Sequence, residues 1–274
     1  MSTKFKLNTG AEIPAIGFGT WQDEHAQEGA VLEAIKAGYR HIDTAAVYGT
    51  EKAVGKAIKK SGVAREDLFI TTKLWNNKHH PDDVEGALQQ SLHELDLEYV
   101  DLYLMHWPVA WKRGDEKFPK SNDLEQVLAN TSVVPAVHQM ECHPWLQQRE
   151  FSDWHIENGI HVTHYSSFGN QNATYDKKKG GVGKLIEEPV LAEVGEQYGK
   201  NAAQVALAWG VTLGHSVLSK SKTPSRIKSN LEGDFKLSPR DMAKISALNR
   251  KIRFNDESKS FGRNFFEDLE DKTG

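Results

Sequence analysis

Seven short runs of β-branched and apolar residues recur along the chain, separated by longer stretches with the period of a helix. The runs are 15–20 (AIGFGT), 41–45 (HIDTA), 69–74 (FITTKL), 101–107 (DLYLMHW), 136–141 (AVHQME), 161–167 (HVTHYSS) and 215–220 (HSVLSK). Alternation of this kind specifies βαβ units and a parallel sheet, because parallel neighbours need a crossover of a dozen or more residues, usually a helix. The clearest helical stretch is 81–96, where Pro81 suits a first turn and Val84, Leu88, Leu92 and Leu95 share one face. Others fall near 26–37, 50–61, 146–158, 201–213 and 238–249. Residues alternate around Asn8-Thr9-Gly10, a turn signal, which predicts a small hairpin ahead of the first parallel strand.

A parallel sheet that closes on itself wants eight strands, since tilt, shear and interior packing are tied to strand number. The pattern therefore predicts an α/β fold of the (β/α)8 TIM-barrel type, one domain over 1–274, with seven barrel strands visible. The eighth belongs between 101–107 and 136–141. There 108–135 offers one short helix, about 123–130, and no apolar strand.

Composition narrows the function classes. A net charge of -4, from 34 basic and 38 acidic residues, gives no broad positive field for a nucleic acid. The N-terminus is too polar for a secretory signal, and no apolar run is long enough to span a membrane. The single cysteine, Cys142, pairs with nothing inside the chain and makes no Cys-based zinc site. These features predict a cytoplasmic protein, a monomer acting on a small molecule rather than on nucleic acid or membrane.

Parallel barrels place their reactive side chains at the C-terminal ends of strands. Run 41–45 leads into Asp43-Thr44-Ala45-Ala46-Val47-Tyr48-Gly49, run 69–74 into Lys73-Leu74-Trp75-Asn76, and run 101–107 into His106-Trp107-Pro108. An acid, a phenol, an ammonium and an imidazole are thereby expected at one mouth. A cation such as Lys73 beside Tyr48 would lower the pKa of the phenol, and Asp43 is the available counter-ion for a buried ammonium. Tyr48 then becomes a proton donor to an oxyanion, with His106 as a second donor that orients a carbonyl. Each residue taken alone is more often structural, and only their convergence points to chemistry.

Other signals fail. Gly17-Phe18-Gly19 lacks the third glycine of a dinucleotide fingerprint, and Gly183-Lys184 has Lys178 where a P-loop needs its first glycine. His79 and His80 are adjacent, so they face different ways; they are expected in a solvated loop or cap and not as metal ligands. No metal is expected.

The motifs GFGTW (17–21), DTAAVYG (43–49), TTKLWN (71–76), MHWP (105–108), QMECHP (139–144) and SKSKTPSRIKSN (219–230) resemble the aldo-keto reductases over nearly the whole chain, 108–122 excepted. YSSFGNQN (165–172) and the tail RFNDESKSFGRNFF look most like the fungal NADP-dependent glycerol dehydrogenase branch. The resemblance implies NADPH-dependent reduction of aldehydes or ketones by direct hydride transfer, small or aromatic aldehydes of the glyceraldehyde type included. It places the catalytic tetrad on Asp43, Tyr48, Lys73 and His106. It further implies that Tyr165 stacks on the nicotinamide with Ser166 beside it, and that Gln139 bonds the carboxamide. Lys220, Ser221 and Arg226 would hold the 2′-phosphate, Asn230 would lie near the adenine, and Trp21, Trp75 and Trp107 would wall the substrate pocket.

The chain also departs from that family. Members carry, between the equivalents of Asn122 and Asp123, the helix after strand four and a fifth strand ending in a Ser-Asn pair, about forty residues in all. The absence reads as a spliced-out or mis-assembled segment, as residues lost from the recorded sequence, or as a shortened barrel. A catalytically impaired protein that binds cofactor or a partner is therefore the alternative function. Lesser departures are Ser219, where proline is usual, and the Lys177–Gly181 run, expected as a mobile loop.

Overall fold

A computed structural model describes residues 2–21, 27–116, 133–169, 171, 182–258 and 266. In chain order it contains β1 (Lys4–Lys6), β2 (Glu12–Pro14), β3 (Ile16–Gly19), α1 (Gln27–Ala37), β4 (His41–Asp43), α2 (Glu51–Ser61), β5 (Phe69–Leu74), α3 (Pro81–Leu95) and β6 (Leu102–Met105). There follow β7 (Val137–Glu141), α4 (Arg149–Glu157), β8 (His161–Tyr165), α5 (Pro189–Tyr198), α6 (Ala202–Leu213), β9 (Ser216–Ser219), α7 (Pro224–Leu231) and α8 (Pro239–Ser246). The chain divides into two compact units, one of 1–16, 133–219 and 229–274, the other of 17–132 and 220–228.

The second unit holds four parallel strands in the order β6-β5-β4-β3. Phe18 pairs with Ile42, Asp43 with Thr71 and Lys73 with Leu104, so the register sets the strand ends carrying Asp43 and Lys73 side by side. β5 is buried along its whole length, as a strand covered on both faces must be. Helix α3 forms where its apolar stripe predicts: His80 caps it by accepting the Asp82 N–H, Pro81 occupies the first turn, and Asp96 closes it in the left-handed conformation. Helix α2 lies so close to α3 that a Cβ on Gly55 would stand 2.1 Å from the Leu95 carbonyl oxygen, and only glycine fits there.

The first unit holds the antiparallel hairpin β1-β2, with Phe5 opposite Ile13, and three parallel strands in the order β9-β8-β7. A buried cluster that includes Trp145, Val162, Leu191, Val205, Trp209 and Phe254 forms its core. Asn201 caps α6 through a reciprocal box with Gln204, which satisfies two otherwise orphaned N–H groups. Helix α5 was not among the expected helices, although Pro189 in its first turn and Gly199 just past its end mark both boundaries.

Among the described residues seven parallel strands, four in one unit and three in the other, with helices following six of them and a hairpin in front, make the α/β pattern of a (β/α)8 barrel. Among the described residues no strand lies between Met105 and Val137. The expected helix at 123–130, the 122–123 junction and the 177–181 run fall outside the described residues.

Candidate active site

The sequence places Asp43 as the last residue of β4 and Lys73 within β5, both pointing away from water. Lys73 Nζ donates to Asp43 Oδ1 at 2.6 Å and to the Thr44 carbonyl at 2.8 Å, and both side chains are nearly inaccessible, 3% and 4% exposed. A bare ammonium would not survive such burial, so the carboxylate is what makes the lysine's position tenable. The chain then turns through a 3-10 segment, Ala46–Tyr48, which Gly49 ends with φ 68. That turn brings the half-buried Tyr48 back over the pair, with Lys73 Nζ 5.1 Å from the ring centroid.

His106 follows β6 directly, and its N–H continues the ladder by donating to Leu74 O. Its ring meets Tyr48 edge-on at 5.4 Å and Trp75 at 5.1 Å. Burial, then the charge of Lys73, then His79, hold its pKa far below the ordinary histidine value, so the imidazole is neutral at physiological pH. Its Nδ1 is buried without a hydrogen-bond partner among the described residues. A neutral imidazole between a tyrosine and two tryptophans can donate one hydrogen bond without adding charge.

Trp21 packs on Tyr48 with centroids 4.8 Å apart and is 49% exposed; Trp107 stacks parallel to His106 at 6.5 Å. Trp75 is buried. The structure thus brings all four expected tetrad residues together with the three expected tryptophans. Two neighbours were missed. Trp111 meets the Trp75 ring edge-on at 5.2 Å, from a stretch with no strand or helix to flag it. His79, expected in a solvated loop or cap, is instead buried at 6% exposure, because the 3-10 turn Asn76–Lys78 swings it inward while His80 takes the cap. Burial lowers its pKa.

In this same unit Lys220 and Ser221 stand ahead of α7, with Lys222 and Thr223 between, and the exposed Arg226 lies in its first turn. Ser221 Oγ accepts the Thr223 N–H at 3.1 Å. Two cations and a hydroxyl at a helix start are a donor set suited to a phosphate. The other expected cofactor residues lie in the first unit. Gln139 and Tyr165 are half-buried on β7 and β8, and Ser166 has a left-handed backbone, φ 52. Asn230 is buried, 7% exposed. Among the described residues no group of three His, Cys, Asp or Glu is arranged to hold a metal ion, and no helix is long and apolar enough to cross a membrane.

The Aldo/keto reductase family matches residues 15–127 and 117–250. The chain belongs to the aldo/keto reductase family. It is 41% identical over 292 aligned positions to an uncharacterized oxidoreductase of Schizosaccharomyces pombe, covering 92% of this chain and 90% of the relative. It is 41% identical to aldo-keto reductase family 1 member A1 of Homo sapiens and 40% identical to that of Sus scrofa, each covering 90% of both chains. Of the 274 residues, 92% is about 252, spread over 292 aligned positions, so about 40 positions hold residues of the yeast relative and none of this chain. The family match itself breaks into two pieces that meet at 117–127. The chain is an oxidoreductase of the kind that reduces carbonyl groups.

Proposed function

We propose that this reductase converts small or aromatic aldehydes and ketones to alcohols at the expense of NADPH, with Tyr48 as the proton donor. The observation that carries the proposal is the buried Asp43–Lys73 pair set beneath Tyr48 and beside a neutral His106. Bound NADPH supplies the hydride. The protein supplies the rest. Lys73, fixed by Asp43, favours the phenolate that Tyr48 leaves behind once its proton has gone to the carbonyl oxygen. His106 orients that oxygen by a hydrogen bond, and because it is uncharged it does not compete with Tyr48 for the role of acid. Trp21, Trp75 and Trp107 exclude water and offer flat apolar faces to the substrate.

The donor set at α7 supports this choice of cofactor: Lys220 and Arg226 supply the charge, and Ser221 the hydroxyl, that a 2′-phosphate calls for, which favours NADPH over NADH. Gln139, Tyr165, Ser166 and Asn230 are assigned to the cofactor by likeness to the family. The whole chain, 1–274, is proposed to work as one reductase domain that lacks a helix-strand unit near 122–123, acting as a cytoplasmic monomer. Glyceraldehyde is the substrate that the glycerol dehydrogenase likeness suggests. Consumption of NADPH with glyceraldehyde or benzaldehyde, abolished in Tyr48→Phe, is the expected result; equal rates in the two proteins would remove Tyr48 from the mechanism.

The roughly 40 unmatched positions favour a second reading, an impaired protein that still binds nucleotide. Quenching of tryptophan fluorescence by NADPH, without turnover of any aldehyde, would select it.

A further inference from the structure

At the C-terminal end of β7 a buried carboxylate holds the tail of the chain. Glu141 is 1% exposed. Its Oε1 accepts the backbone N–H of Phe254 at 2.8 Å and meets His143 Nε2 at 3.1 Å, and its Oε2 accepts the N–H of Asn255 at 2.8 Å. Burial works to raise its pKa, but His143 and the two tail N–H groups outweigh it and keep the carboxylate ionised. Charge-assisted bonds of this kind, out of water, are strong and directional.

The tail so held reaches the turn after β8. Asn255 Nδ2 donates to Ser166 Oγ at 2.9 Å, and Ser166 stands in the left-handed conformation that serine rarely adopts. Phe254 closes on the same turn: a Cβ on Gly169 would lie 3.2 Å from its ring. From below, Ser167 Oγ donates to the Leu218 carbonyl. In the strand register Glu141 lies directly beside Tyr165. A strained backbone persists only where its surroundings over-determine it, and here the tail supplies contacts to the turn through Asn255 and Phe254.

We infer that Glu141 is a positioning residue for the cofactor: it seats Phe254 and Asn255 on the turn that follows β8, and the seated tail fixes Ser166 and the adjoining Tyr165. The inference rests on the proposed role of Tyr165 and Ser166 in NADPH binding. Glu141 itself touches neither cofactor nor substrate in this account.

The test uses the full chain, Glu141→Gln and Asn255→Ala. Gln keeps the shape but presents an N–H donor to a backbone N–H; Ala at the half-buried Asn255 removes the bridge to Ser166 while keeping the backbone N–H that Glu141 accepts. NADPH dissociation constants from tryptophan quenching are expected to rise about tenfold in Glu141→Gln and several-fold in Asn255→Ala, the order of effect of losing a group that orients a binding residue. The KM for NADPH should follow while kcat at saturating NADPH stays within about twofold of the parent; mere loss of folded protein would lower kcat and leave KM alone. Should Glu141→Gln not fold, Asn255→Ala decides. A parent that binds NADPH alongside a folded Asn255→Ala of equal affinity overturns this inference alone, and a parent that binds no NADPH overturns it together with the proposed function.

Discussion

The Asp43–Lys73 pair makes a quantitative demand. Replacing Asp43 by Leu leaves the Lys73 ammonium, 3% exposed, beside the Thr44 carbonyl at 2.8 Å with its carboxylate counter-charge gone. Breaking a buried pair from one side costs about 3–5 kcal/mol, because a charge stays behind without its counter-charge. For a chain of this size each kcal/mol moves Tm by roughly 2–4 °C, so the fall should be roughly 6–20 °C. Lys73→Met should cost a similar amount, since it strands the carboxylate. The double variant Asp43→Leu/Lys73→Met removes both charges and nearly keeps the branching and length of the two side chains, and hydrophobic replacements of a buried pair are often neutral. The singles should therefore be far from additive, with a coupling energy of at least about 2 kcal/mol. Urea unfolding followed by tryptophan fluorescence measures all four proteins under one set of conditions. Singles whose losses add to the double's within about 0.5 kcal/mol would show that the two side chains do not depend on each other, and the reasoning would fail.

Three further outcomes are expected. Burial, with His155 adding to it at His138, holds His138 and His215 at pKa values of about 4; the unfolded value is about 6.5, so protons favour the unfolded chain. Stability should be full above pH ~6.5 and fall as pH drops toward 4, by on the order of 3 kcal/mol per histidine, and urea midpoints that stay flat from pH 7 to 4.5 would contradict this. Lys220→Ala/Arg226→Ala should weaken NADPH by roughly ten- to a hundredfold per lost contact and NADH hardly at all, and equal losses by titration would defeat the phosphate assignment. Inserting the family's helix-strand unit at 122–123 should raise the reduction rate at least about a hundredfold and raise Tm, because a misplacement near 1 Å already costs about that factor; comparable rates and melting curves would show that the unit is dispensable.

The convergence of the four expected residues was legible because they lie at or just past the C-terminal ends of strands that the sequence announces: Asp43 ends β4, Lys73 stands one residue from the end of β5, His106 follows β6, and Gly49 ends the turn that brings Tyr48 back. Helix α3 was legible from four apolar residues and a proline. His79 was not, since adjacency to His80 says that the two diverge but not which one faces inward; the 3-10 turn decides that, and such turns carry little periodicity. Trp111 escaped because its stretch has neither helix nor strand period to place it. The Glu141 clasp joins residues 113 positions apart through backbone N–H groups, which leave no mark on side-chain pattern at all. The family likeness leads to the expectation of a missing unit near 122–123, and the alignment with the yeast relative leaves about 40 positions in total without a residue of this chain.

Transfer of label tests the central claim most directly. With NADPH deuterated at one or the other face of C4 and benzaldehyde as substrate, one of the two labelled forms should deliver deuterium to the carbinol carbon, with none arriving there from deuterated water. The same transfer should vanish in Tyr48→Phe. Unlabelled benzyl alcohol from both forms, or deuterium taken up at that carbon from solvent, would contradict direct reduction by this protein.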